Sequence, residues 1–254
     1  APVKQDDPQG LGHAVYLTRD WTDGHPVLIV YGDTVFEGDL GEAIGAPGDG
    51  AIGVHRVEDP TRFGVVEEDG GRIVRLVEKP EAFVSDLAIV GINYIRNSRL
   101  LFSCLETMIQ RDLRTRGELQ LTDAFSLMVS QGAHLSTFPV DNWFDCGAPD
   151  TLLETNQNLL SRLPKPAPRE DVILIPPVFV SESASVTRSI LGPDVSVGDG
   201  AVVADAIISD SIIGEGAHVS GCSLARSLVG TNAVVESGAR RLNVGDSSEV
   251  RLLV

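Results

Sequence analysis

The last third of the chain repeats itself, and no other feature restricts the fold as much. Five stretches align, at residues 180–186, 197–203, 213–219, 229–235 and 244–250, with starts 17, 16, 16 and 15 residues apart. Each sets an aliphatic residue six positions after another, typically with glycine at the turn and a small residue facing inward. A second pattern recurs between the copies at residues 186–190, 208–212 and 224–228. Short strands stacked coil on coil need this, because every coil presents the same small side chains to one continuous core. The repeat therefore predicts a parallel solenoid with Ala184, Ala201, Ala217 and Ala233 in register.

A proline-rich linker, Pro164-Lys165-Pro166-Ala167-Pro168, separates this texture from what precedes it. The division predicted is a first domain over 1–163, a linker over 164–171 and the repeats over 172–254. The first domain holds an almost wholly apolar run, residues 26–31, that ends in Gly32-Asp33. It reads as a strand buried on both faces of a parallel sheet covered by helices. Ligands of open parallel sheets bind beyond the carboxyl ends of the strands, which puts Asp33 where chemistry would be placed. A plain strand-ending turn is the competing reading, since Gly and Asp are ordinary turn residues.

Further strands are expected at 51–57, at 63–66 turning through Asp69-Gly70-Gly71 into 72–78, and at 88–95. Glu78-Lys79-Pro80 closes the third of these, and adjacent strand residues share a target only if the strand end twists or bulges. Gly91 interrupts the 88–95 strand, as happens at a bulge or where a ligand approaches the backbone. Residues 98–112 have helical character, with Ser98 as cap and Leu101, Leu105 and Ile109 on one face. A second helix follows Gly117 and ends near Gly132, with Thr122 and Asp123 assigned to capping. Residues 14–21 suggest a helix entered from a glycine-containing loop, and a last helix runs from Pro149-Asp150 to about Leu160.

Charge and cysteines narrow the function. A net charge of −16 argues against nonspecific nucleic-acid binding, which needs a basic face. A nucleotide remains possible as a substrate, because a few cations, backbone N–H groups and a metal suffice for phosphate. Cys104, Cys146 and Cys222 show no paired spacing, so a disulfide framework and a structural zinc are not expected. No signal or membrane-span pattern is present, and the default expectation is a cytoplasmic protein.

Gln5, Pro8, Gly10-Leu11, Gly32-Asp33, Glu78-Lys79-Pro80 and Trp143-Phe144-Asp145-Cys146-Gly147, in this order, resemble the sugar-phosphate nucleotidyltransferases, in particular the glucose-1-phosphate thymidylyltransferase and uridylyltransferase group. The repeats resemble the hexapeptide repeats that long forms of these enzymes carry. The resemblance implies an α/β fold: a partial Rossmann-like domain with a mixed, mostly parallel sheet, then a left-handed parallel β-helix. It implies that Gln5 and Gly10 contact the base, and that Asp33 and Asp145 hold Mg²⁺. It further implies that Glu78, Gly64 and Gly91 line the sugar site and that Lys79 orients the sugar phosphate. Cys146 departs from the Thr or Ile common in the family. His13 is read as helix-start packing or a surface contact.

The reaction so implied is attack of a sugar 1-phosphate on the α-phosphorus of dTTP or UTP, with a nucleotide-sugar and pyrophosphate as products. Glucose 1-phosphate is the expected sugar, and a homo-oligomer without nucleic-acid or membrane partners the expected state. Two other classes compete. One is a hexapeptide-repeat acyltransferase, for which His218 would be the single histidine within the repeats. The other is a noncatalytic regulatory or scaffold subunit of the same fold. The resembled family also opens with a strand and a glycine-rich, cationic loop around the triphosphate, which these 254 residues lack. The resemblance therefore implies a fragment that is inactive or nearly so alone.

Overall fold

The computed structural model describes residues 2–22, 24–37 and 39–237. The chain forms two compact units, one ending at Asp145 and one beginning at Cys146. The fifth repeat copy, 244–250, lies outside the described residues. Among the described residues no helix is long and apolar enough to cross a membrane.

The first unit opens with two short helices, α1 (Leu11–Tyr16) and α2 (Arg19–Thr22), before strands β1 (Val27–Val30) and β2 (Thr34–Glu37). Helix α3 (Leu40–Gly45) leads to β3 (Gly50–Arg56), and β4 (Gly64–Asp69), β5 (Arg72–Glu78) and β6 (Leu87–Ile95) follow. Helices α4 (Ser98–Gln110) and α5 (Leu121–Ser130) then precede β7 (Leu135–Pro139) and β8 (Asp141–Asp145). The main sheet has the order β5-β4-β6-β3-β7, with β1 on β6, while β2 pairs with β8 apart from it.

This sheet is mixed, as expected, but its one parallel pairing among the described residues is β3 with β7. Connection length decides the rest. Gly70 and Gly71, both at positive φ, join β4 to β5 in a tight hairpin that allows only antiparallel pairing. Strand β7 follows α4 and α5 and adds beside β3 rather than beside β6, the strand that precedes those helices. Among the described residues the strand pairings of the solenoid, by contrast, are all parallel. The expectation for 26–31 needs correction. Strand β1 lies antiparallel to β6, with Val27 and Ile29 against the core and Leu28 and Val30 43% and 48% exposed. One face of β1 packs on the core and the other is open, so its alternate side chains meet solvent.

Helices α4 and α5 cover one face of the sheet, where Leu101, Leu105, Met108, Phe125 and Met128 pack on Ile52, Ile73 and Ile95. Each such side chain, removed from water, contributes roughly 1.5–3 kcal/mol. Met108, rather than Ile109, completes the buried stripe of α4. The cap of α4 is Asn97, whose Oδ1 accepts from the Leu100 N–H at 3.2 Å, while Ser98 is buried in the first turn. On the other face Ala51, Val90, Ile92, Phe138 and Val140 form a smaller cluster with Ala43 of α3.

The second unit consists of α6 (Pro149–Ser161) and the solenoid. One sheet stacks Val178–Val180, Val195–Val197, Ser211–Ile213 and Leu228–Val229, and two others of four strands complete the coils. Ala184, Ala201 and Ala217 are buried in the column expected of them, and Ala233 packs against it. Corners are turned by residues at positive φ: Asp171, Arg188, Asp205 and Gly221 at one, Asp194, Asp210 and Arg226 at another. Asp tolerates this conformation better than most residues because its short side chain can bond locally. The buried hydroxyls of Ser189 and Ser211 accept from the N–H groups of Ala206 and Ser227 on the next coil.

Helix α6 lies on one outer face of the coils. Asn156 Nδ2 donates to the Asp194 carbonyl at 3.3 Å, Gln157 Nε2 to Asp210 at 2.8 Å, and Arg226 pairs with Asp150 at 2.8 Å. This packing explains why the compact division falls ahead of α6, earlier than the proline-rich segment at 164–168. His218 is exposed on another outer face, between Val202 and Val234.

Candidate active site

The segments bearing the two carboxylates singled out in the sequence come together at the small sheet. Strands β2 and β8 pair with Thr34 opposite Asp145 and Val35 opposite Phe144. Asp33, one residue before Thr34, therefore stands at the same end of the ladder as Asp145. Among the described residues no group of three or more His, Cys, Asp or Glu could hold an ion. A closed protein cage is thus absent, but two hard oxygen donors fit a cation of the Mg²⁺ type, which commonly takes one or two carboxylates and fills its shell with water and phosphate.

Tyr31 connects this end to the next group. Its N–H donates to the Gly91 carbonyl at 2.8 Å. Burial, and then the nearby Glu78 and Asp33 carboxylates, push its phenol up. The hydroxyl therefore remains a donor. A Cβ on Gly91 would lie 2.5 Å from Thr34 Oγ1 and 2.6 Å from the Tyr31 ring. The glycine makes room for these two side chains.

A cleft of about 200 Å³ holds Glu78, Gly64, Thr122, Gln120 and Tyr31. A Cβ on Gly64 would come within 2.5 Å of Thr122 Oγ1 and 2.9 Å of Glu78 Oε2, so the bare glycine lets the pair close. Burial raises the Glu78 carboxyl, against the opposing effects of its bond to Thr122 and of Lys79. The capping role expected of Thr122 and Asp123 is not found. Gln120 is the N-cap of α5, Thr122 bonds Glu78, and Asp123, raised by burial, bonds Thr115.

Lys79 has φ 43°, and this left-handed residue bends the strand end so that its Nζ lies 3.9 Å from Glu78 Oε1. The two can thus share a target despite being adjacent. Lys79, Arg62 and Arg116 line a second cleft of about 600 Å³ with Thr61 and Glu81. Arg116, also left-handed at φ 54°, donates to the Lys79 carbonyl at 3.1 Å. Three cations at one opening suit a phosphate monoester. Sequence reasoning missed Arg62, Arg116, Thr122 and Tyr31. Only the turn-like Arg116-Gly117 pair carried a local signal, and it did not point to Lys79. A larger groove of about 770 Å³ along β1 is chiefly apolar, lined by Leu11, Val15, Leu28 and Phe102, with Asp33 among its lining residues.

The loop bearing Gln5 and Gly10 is fastened to the segment carrying Gln120 and Thr122. Gly12 N–H donates to the Leu119 carbonyl and Leu119 N–H to that of Gln9, both at 2.8 Å. Gly10 has φ 105°, and a Cβ there would meet the Leu119 carbonyl at 2.8 Å. Trp143, two residues before Asp145, packs edge-on against Phe63 at 5.1 Å between ring centres, and its buried indole N–H has no partner among the described residues.

The chain matches the Nucleotidyl transferase family over residues 1–162. A glucose-1-phosphate thymidylyltransferase of Streptomyces antibioticus is 31% identical over 220 residues, covering 81% of this chain and 59% of that one. The bifunctional protein GlmU of Methanocaldococcus jannaschii is 32% identical over 190 residues, 72% of this chain and 44% of its own. A crystal structure described as a glucose-1-phosphate thymidylyltransferase from Bacillus anthracis, in complex with a sucrose, aligns with TM-score 0.51 at 26% identity and 65% coverage of both chains. The chain thus spans less than two thirds of the length of each of these relatives.

Proposed function

Because the chain belongs to the nucleotidyl transferase family, we propose that it serves the joining of a nucleoside triphosphate to a sugar 1-phosphate, with release of pyrophosphate. The names of its thymidylyltransferase relatives favour dTTP, or the closely similar UTP, and glucose 1-phosphate. The observation that carries the reading is the β2–β8 register, which sets Thr34 opposite Asp145 and so brings two distant carboxylates to one ladder end.

In this reading the attacking group is already an anionic phosphate oxygen, so no side chain has to remove a proton. The protein's part is positioning and charge compensation. Lys79, with Arg62 and Arg116, holds the sugar phosphate. Glu78 and Thr122 accept and donate to sugar hydroxyls in the cleft opened by Gly64, with Gly91 keeping Tyr31 and Thr34 in place. Gln5 and Gly10 face the base. Asp33 and Asp145 would hold Mg²⁺, which when bound offsets the negative charge of the phosphates.

Calorimetric titration of the 254-residue chain tests this. UDP-glucose and dTDP-glucose are expected to bind and GDP-mannose not to. Lys79→Ala should weaken glucose 1-phosphate binding roughly tenfold or more, the scale of a charge-assisted hydrogen bond. Asp33→Asn and Asp145→Asn should remove the Mg²⁺ dependence of triphosphate binding. A chain that binds no nucleotide and no nucleotide-sugar would refute the proposal.

A further inference from the structure

Gln5 Nε2 lies 3.2 Å from the Gly10 carbonyl oxygen and 2.9 Å from His13 Nδ1. A carbonyl oxygen only accepts, so the amide atom facing it is the nitrogen and not the oxygen. One N–H is used there. The other meets Nδ1, which must accept through its lone pair, and the imidazole proton then resides on Nε2. Both hydrogens of the Gln5 amide are thereby committed inside the protein. Its Oε1 has no partner among the described residues and is the one amide atom left to meet a ligand, on a residue that is partly exposed. The anchors are fixed: Gly10 is pressed against Leu119, and His13 belongs to α1.

We infer that His13 is a positioning residue that holds the Gln5 amide oxygen outward, so that the base site accepts a hydrogen bond from an imide N–H such as N3–H of uracil or thymine. The inference rests on the reading of Gln5 as a base contact. Without His13, Gly10 alone restrains the amide, which can turn its nitrogen outward, and a donor facing N3–H selects against it.

Two measurements test this. In ¹⁵N-resolved NMR of the chain, His13 is expected as the Nε2–H tautomer, and the Nδ1–H tautomer would overturn the inference. In titrations with UTP and N3-methyl-UTP, the native chain should prefer UTP by about 3–10-fold, the scale of one hydrogen bond. His13→Leu should bring that ratio towards one, and His13→Gln, whose amide oxygen can accept, should restore it. A packing role alone would weaken both ligands and keep their ratio. If His13→Leu discriminates as the native chain does, the positioning role fails and the base contact stands. If the native chain binds neither nucleotide, both fail.

Discussion

Gly200 of the solenoid does different work from Gly64 and Gly91 of the sheet unit. In the solenoid, Gly200 has φ 63° with open space where a Cβ would be, so it serves its own backbone at a corner. In the sheet unit, Gly64 and Gly91 have no such φ, yet a Cβ on either would lie 2.5 Å from a threonine hydroxyl. These two serve their neighbours. The contrast extends to the units themselves. A solenoid residue meets its counterpart on the next coil, as Leu191, Ile208 and Leu224 do, and its role is legible from the period. The candidate site depends on long-range closure among a loop, two strand ends and a helix start. Repetition specifies a scaffold locally, whereas a site is specified by a few contacts that no period announces.

The largest expected effect is in the repeat. Ile208 is fully buried between its counterparts, and Ile208→Ala should cost about 2–5 kcal/mol of solenoid stability in urea unfolding. A loss well below that range would mean the coils do not form one continuous core. Next, Gly91→Ala should cost about 1–3 kcal/mol through overpacking against Tyr31 and Thr34 and should weaken nucleotide-sugar binding. Gly200→Ala should cost roughly 1–2 kcal/mol through its φ alone and leave binding intact. Equal effects of both on binding would erase the distinction drawn between the two glycines.

The smallest and most specific effect concerns Glu78, whose side chain is 8% exposed. Burial raises its carboxyl in the folded state, so folding favours the protonated form. Its contribution to stability is full below the unfolded carboxyl range, near pH ~4.3, and is lost as pH rises through the raised folded value. Glu78→Gln should therefore leave the melting temperature nearly unchanged at pH 4 and raise it at pH 8. An equal shift at both pH values would mean that ionisation at this buried position is not what destabilises it.

The alanine column, the Gly70-Gly71 hairpin and helices α4 and α6 were legible because each is written in consecutive or periodic residues. The exposure of β1 was not, since an apolar run does not reveal whether both faces of its strand will be covered. Asn97 and Ser98 are both plausible caps, and the choice between them depends on where the chain leaves β6. Thr122 looked like a cap because it stands at a helix start. Its bond to Glu78 depends on Gly64, far upstream, lacking a side chain. Arg116 reaches Lys79 only because both residues adopt left-handed backbone conformations at the end of separate segments. No single-sequence pattern encodes such a meeting, although the motif order around Asp33, Glu78 and Asp145 pointed to the right family.

The corner residues at positive φ give the solenoid one more property. Since each corner recurs every 16 or 17 residues and each coil contacts only the coils above and below, a whole coil can be duplicated without changing the surroundings of the others. Each duplication would lengthen the stack by the spacing of neighbouring strands, about 4.8 Å. The repeat is a graduated ruler: gene duplication can tune its reach in fixed steps, while the chemistry of the sheet unit admits no such increments.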